Sequence, residues 1–219
     1  EYGVEYDEKN PADERILSDS AYLALLKQKA YLQARVTLAQ SDSIYLSVNL
    51  NDSLLSLEIN GVSVHKAAIK SIAASRMLKG VNDHAILSML SEPFTVSRNF
   101  SSIEKEPLMI KLAPKDTSEY EPDIIPDTAY YEPVNFIMEM ENGTRLYIFQ
   151  AEKVKPGDGL RQFLFDMKYR IRSEAPRFAR IITFRIPEYH PYIKLKVPRS
   201  DARIIYRALP WRSQAAVSF

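Results

Sequence analysis

The chain alternates before it does anything else. From Ile44 to Leu50, apolar Ile44, Leu46, Val48 and Leu50 alternate with Tyr45, Ser47 and Asn49. A period of two places one set on a core face and the other toward solvent. Asn51-Asp52-Ser53 turns the chain, and Leu55, Leu57 and Ile59 alternate with Ser56 and Glu58. Asn60-Gly61 follows, the strongest short hairpin signal, because a type I′ turn needs positive φ at both central residues. Val62 and Val64 open a third run. The stretch to Ile69 predicts a half-buried antiparallel meander. A second hairpin is predicted over Asn135–Gln150, where Phe136, Met138 and Met140 alternate with Ile137, Glu139 and Glu141 before Asn142-Gly143, and Leu146 and Ile148 return.

Three segments change to helical spacing. Asp19 or Ser20 can cap a helix over 21–40, with Tyr22, Leu25, Leu26, Lys29, Leu32 and Val36 as its stripe. Leu160, Phe163, Leu164, Met167 and Ile171 recur at i, i+3, i+4, i+7 and i+11, an amphipathic helix near 160–174 that Pro176 should end. The β-rich stretch Phe178–Ile186 follows. Near the C-terminus, Ser200-Asp201 can cap a short helix through Ile204, Ile205 and Tyr206 to about Leu209, and Ala215-Ala216-Val217 can close as a strand. Shorter runs at Phe94–Val96 and Leu108–Leu112 read as strands, and Ile86–Leu90 as a strand or a helical turn. The fold class expected is mainly β (α+β): an antiparallel β-sandwich or meander with three helices. Residues 1–20 form a polar leader, 21–40 the N-terminal helix and 41–219 one β-rich domain. An irregular acidic loop at 113–133 carries Pro114, Pro122, Pro126 and Pro133; a lid over a groove or a surface crossover both suit it.

Composition narrows the chemistry. The chain has 219 residues and no Cys, which excludes disulfides, cysteine metal sites and a thiol nucleophile. The three histidines, His65, His84 and His190, have no partner at metal spacing, and no metal or cofactor is expected. The acids of the 113–133 loop lack the regular spacing of a calcium loop. Asn51, Asn99 and Asn142 fit the N-x-Ser/Thr triplet, which is common by chance. Net charge is +1, yet residues 151–219 hold 15 Lys/Arg against 6 Asp/Glu. Mutual complementarity with the acidic half at 1–150, together with solvated faces, explains this, as does a surface for an anionic glycan, lipid or nucleic acid. No nucleic-acid motif is present, so nucleic acid is not expected. No apolar run reaches the roughly 20 residues of a membrane span. The chain begins at Glu1, which reads as a processed product whose signal segment is already absent.

The last segment carries a resemblance. Tyr189-His190-Pro191-Tyr192-Ile193-Lys194-Leu195 leads through an Asp-containing cap to a short helix and a final strand. This order resembles the C-terminal end of the L,D-transpeptidase (YkuD-like) catalytic domain, a β-sandwich of cell-wall enzymes. Ile193-Lys194-Leu195 takes the place of that family's Ile-Arg-Leu. The opening meander, with its Asn-Gly hairpin, resembles its first strands. On this register Tyr189 stands for the family's Ser, Pro191 for its Gly and Tyr192 for its nucleophilic Cys, and no His-Gly occurs anywhere. The family's reaction needs a thiolate and a nearby base, and a Tyr phenol of pKa about 10 is a poor substitute.

The resemblance therefore implies a non-catalytic, exported protein, periplasmic or outer-membrane-associated. Peptidoglycan peptide or glycan is the inherited ligand class, and Tyr189, His190, Tyr192 and Lys194 are candidate groove residues. Two alternatives stay open. One is a hydrolase or transferase with a non-Cys nucleophile, although no Gly-x-Ser-x-Gly or Ser-x-x-Lys box occurs. The other is an envelope protein–protein adaptor using the N-terminal helix or the basic C-terminal half.

Overall fold

A computed structural model describes residues 20–75, 78, 87, 89–105, 132–182 and 190–219, with the side chains of residue 20 and of 174–182 excepted. The predicted strand at Leu108–Leu112, nearly all of the acidic loop, His84 and Tyr189 lie outside the described residues.

The protein is a mixed α+β chain, mostly β, built on one nine-stranded sheet. The elements are α1 (Ser20–Ala39), β1 (Tyr45–Asn49), β2 (Leu54–Ile59), β3 (Val62–Ala68), β4 (Ser71–Ala74), β5 (Phe94–Ser101), β6 (Asn135–Met140) and β7 (Arg145–Gln150). Then come α2 (Asp158–Ile182), β8 (Tyr192–Val197), α3 (Arg199–Ala208) and β9 (Gln214–Ser218). The strand order is β3-β2-β1-β9-β5-β6-β7-β8-β4. Strands β1, β2 and β3 pair antiparallel in turn, and both Asn-Gly hairpins are present. Parallel contacts of β1 with β9 and of β7 with β8 interrupt the antiparallel pattern. Ile69 and Lys70 alone separate β3 from β4, the two ends of that order. At this junction Ile69 N donates to Ser53 O and Lys70 N to Lys196 O, so the chain leaves β2 and joins β8.

Local chemistry accounts for the turns. Asn60 and Gly61 both have positive φ, +49° and +79°, as a type I′ turn requires. At Asn142-Gly143 only the glycine does, at +81°, and the Asn142 Oδ1 accepts from Thr144 N instead. The same dipeptide thus makes two different turns.

The inner face of the sheet and α3 form the main core, with Leu46, Leu55, Leu57, Phe136, Met138, Leu146, Ile148, Ile193, Leu195, Ala202 and Ile205 in one cluster. The outer face is covered too. Helix α1 lies over β1 and β9, where Tyr31, Ala34 and Leu38 bury Tyr45 and Ala216. Helix α2 lies over β5, β6 and β7. The meander is therefore buried on both faces at β1, where Tyr45, Leu46, Ser47 and Val48 are all inside.

Several expectations are corrected. Neither long helix docks through its most apolar stripe. Tyr22, Leu25, Leu32 and Val36 of α1 are exposed, as are Leu160, Phe163, Leu164, Met167 and Ile171 of α2. Their docked sides are Ala30, Tyr31, Ala34 and Leu38, and Phe165 and Tyr169. Helix α2 continues through Pro176 to Ile182, where an end and then a β-rich stretch were expected. An interior proline removes one ladder N–H and crowds the carbonyl four residues back, which kinks or breaks a helix; this helix runs past it. Helix α3 starts at Arg199, before the expected cap. Pro198 holds its N-cap position and makes no side-chain capping bond. Asp201 is free of capping duty and lies 3.3 Å from His65 Nε2. A β-bulge at Leu57/Glu58 shifts the register of β3, leaving Val62 and Val64 outward and His65 partly covered.

Candidate functional site

The outer face of the second half of the sheet carries its polar residues in rows. Arg98 of β5 lies opposite Glu139 of β6, Glu139 opposite Arg145 of β7, and Arg145 opposite Tyr192 of β8. One row further along, Phe100, Ile137, Tyr147 and Lys194 line up in the same way. A β-bulge between Val96 and Arg98 sets the first row, a device that re-aims side chains at strand edges.

Helix α2 docks on these rows through aromatic rings. Phe165 stacks on Phe100 at 4.9 Å between centroids, and Tyr169 meets Phe100 at 5.6 Å and Tyr147 at 5.8 Å. The Tyr169 hydroxyl donates to Glu139 Oε1 at 2.5 Å. Burial and then this bond to a carboxylate raise the Tyr169 pKa well above the ordinary phenol value, so its proton stays on. Arg145 is buried, with Nε 3.5 Å from Glu139 Oε1 and its guanidinium 5.4 Å from the Tyr169 ring centroid.

Two clefts flank this contact. The larger, about 460 Å³, is lined by Arg98, Asn99, Phe100, Glu139, Arg145, Tyr169, Arg172, Ser173 and His190. Three guanidiniums and one carboxylate give it a positive balance. Gly143 holds the hairpin against His190, because a Cβ there would sit 3.2 Å from His190 Nδ1. The Asn99 amide is turned to Trp211 O at 3.1 Å. The smaller cleft, about 310 Å³, lies at the other end of the contact, with Gln162, Phe163, Asp166, Lys194 and Lys196 in its wall.

The structure separates the residues the sequence singled out. His190 faces the larger cleft and Lys194 the smaller one. Tyr192 is half-buried against Tyr147, edge to face at 6.2 Å. Lys194 is a strut. Its ammonium is 3.1 Å from Asp166 Oδ2 and 4.5 Å from the Tyr147 centroid, which ties β8 to α2. The residues that sequence reasoning missed are Arg98, Glu139, Arg145, Tyr169 and Arg172. The outward parity of Glu139 on its strand was the available signal; the bulge that brings Arg98 beside it has none.

Chemically the larger cleft is suited to an anion. Arginine presents a planar fork that matches carboxylate or phosphate oxygens two at a time. Its one carboxylate, on Glu139, already accepts from Tyr169 and faces Arg145. Among the described residues no group of three His, Asp or Glu is placed to share a metal ion. Comparison with protein-family models, curated proteins and solved structures finds no match.

Proposed function

We propose that this protein is a non-catalytic binding module of the bacterial cell envelope, and that its ligand is an anionic peptide or glycan of the peptidoglycan class. The observation that carries this reading is the convergence of Arg98, Arg145 and Arg172 on one cleft beside His190. Stem peptides offer free carboxylates, the groups an arginine fork takes best. The resemblance of the C-terminal segment to L,D-transpeptidases supplies the ligand class, and the two halves of the sheet around one core suit that family's sandwich. Tyr192 in the place of the nucleophile, packed against Tyr147, suits a protein that holds a stem peptide without cutting it.

The test is retention of the purified protein on intact sacculi, with soluble muropeptides as competitors and chromatography of the muropeptides to detect turnover. The wild type should be retained at moderate salt. An Arg98→Ala/Arg172→Ala double variant should lose most of that retention, and Lys196→Ala, in the other cleft, should keep it. No retention of the wild type, or turnover of the muropeptides, would sink the reading.

One observation favours a second reading. The exposed Tyr22, Leu25, Leu32 and Val36 on α1 suit an envelope adaptor that offers this helix to a protein partner. Capture of an envelope protein that is lost with Leu25→Gln/Val36→Gln, while sacculus binding persists, would support it.

A further inference from the structure

The outward side of α2 is the least expected surface of the molecule. Leu160, Phe163 and Ile171 are 61%, 61% and 63% exposed, and Leu164 and Met167 are 45% and 39% exposed. At about 100° per residue, these five side chains fall on one side of the helix. Phe165, Asp166 and Tyr169, which hold the helix to the sheet, fall on the other. The stripe runs about 17 Å along the helix axis.

Its flanks are cationic. Arg161, Lys168 and Arg172 are exposed along one border, and Arg170 along the other. Two acids between residues 158 and 172 are kept off this side. Asp158 is buried at the helix start, and Asp166 is engaged by Lys194 and by Arg170. Just before the helix, Val154 is 61% exposed between Lys153 and Lys155. Bulky apolar side chains in the middle with cations on both borders match a lipid interface: the rings and branched chains enter the acyl boundary while the long cationic side chains reach back to the headgroups. No described helix is long and apolar enough to cross a membrane, so the geometry is that of a helix lying in the surface.

We infer that the outward face of α2 docks the protein on an anionic phospholipid surface, through Leu160, Phe163, Leu164, Met167 and Ile171 flanked by Arg161, Lys168, Arg170 and Arg172. Charge complementarity favours the lipid over a second copy of this chain. A second copy would bring the same cations face to face, whereas a bilayer of anionic headgroups neutralises them. The inference shares Arg172 with the arginine cleft, but none of the side chains changed in its test lines that cleft.

The experiment is flotation of the full chain with vesicles of phosphatidylcholine alone and with added phosphatidylglycerol, across salt concentration. The wild type should float with the phosphatidylglycerol vesicles only. Phe163→Gln/Ile171→Gln should lower the apparent affinity about tenfold or more, and it should fold normally because both side chains are exposed. Arg161→Gln/Lys168→Gln should lose affinity and flatten the salt dependence. Leu25→Gln/Val36→Gln on α1 should float like the wild type. Three results would overturn the inference. One is no flotation of the wild type. Another is flotation indifferent to Phe163→Gln/Ile171→Gln, meaning charge attraction without insertion. The last is a dimer in sedimentation that the Phe163→Gln/Ile171→Gln variant dissolves and that phosphatidylglycerol vesicles do not disperse, which would give the face to a second copy.

Discussion

Helices α1 and α2 solve the same problem in two ways. Each covers part of the outer face of the sheet, and each is pinned by one buried tyrosine and an ion pair. On α1, Tyr31 bonds Ser47 Oγ at 2.6 Å, and Arg35 grips Glu58 with two bonds, at 3.1 and 2.9 Å. On α2, Tyr169 bonds Glu139 and Asp166 meets Lys194. The difference lies in what fills the contact. Helix α1 docks through Ala30, Ala34 and Leu38, and small residues let helix and strand backbones approach closely. Helix α2 docks through Phe165 and Tyr169, whose rings hold it off the sheet, and the two clefts described here open at either end of those rings. Where alanines sit between the aromatic residues, as under α1, the contact closes; where rings fill most of it, as under α2, room is left beside them.

The sharpest way to break this comparison is to remove one arginine from each side. The Glu58 side chain is 4% exposed, so Arg35→Ala would strand a buried carboxylate, at a cost of about 3 kcal/mol. Glu139 is 22% exposed, faces a cleft and keeps its bond from Tyr169, so Arg145→Ala should cost only about 1–2 kcal/mol. Urea unfolding of both variants decides it. Equal losses would mean that the α2 contact is as closed as that of α1.

The strands were legible in the sequence because period and turn chemistry agree there. Asn60-Gly61 and the alternation of Leu55, Leu57 and Ile59 fix register as well as existence. The helices were legible as helices but not as faces. A stripe such as Leu160, Phe163, Leu164, Met167 and Ile171 predicts docking when the surface beneath is apolar. Here that surface mixes Arg98, Glu139, Arg145 and Lys194 with Phe100, Ile137, Tyr147 and Phe149, and its complement on α2 is Asp166 and Tyr169 with Phe165. The strict alternation of Tyr192, Lys194 and Lys196 with Ile193, Leu195 and Val197 was the available clue that β8 has a polar outer side. The Ala30, Ala34 and Leu38 spacing marked the docked side of α1. The arginine cleft was illegible because its residues come from β5, β7 and α2, and only the strand order brings them together.

Glycine substitutions sharpen the same contrast at smaller magnitude. Both Gly61 and Gly143 have φ near +80°, where any Cβ is strained. A Cβ at Gly61 would lie 3.3 Å from the Ala39 methyl at the end of α1, which cannot rotate away. A Cβ at Gly143 would meet His190 Nδ1 at 3.2 Å, the end of a side chain rather than a methyl fixed to the backbone. Gly61→Ala should therefore cost about 2 kcal/mol, and Gly143→Ala about 1 kcal/mol. Gly143→Ala should also move the His190 ring resonances by NMR and weaken sacculus binding. A Gly143→Ala protein with unmoved His190 resonances would detach that residue from the cleft.

The smallest effect at neutral pH comes from the buried phenols, and it reaches both helices. Burial is the leading cause that raises Tyr31 and Tyr147, pushes Tyr45 up to about 12, and lifts Tyr169 further with help from Glu139. A phenol whose folded pKa exceeds its unfolded value of about 10 stabilises the fold fully below that pH. The unfolded chain then ionises first as pH rises, so stability falls from about pH 10 through the folded values. Stability should be flat from neutrality to about pH 9 and decline above pH 10, while phenolate absorbance shows these tyrosines titrating late. Tyr45→Phe should change little at pH 7 and flatten the alkaline decline. Tyr169→Phe should cost about 1 kcal/mol at pH 7, because it also leaves Glu139 without its donor. If Tyr169 instead titrates with the exposed tyrosines, water reaches it from the arginine cleft, and the aromatic prop beneath α2 is wetter than its packing implies.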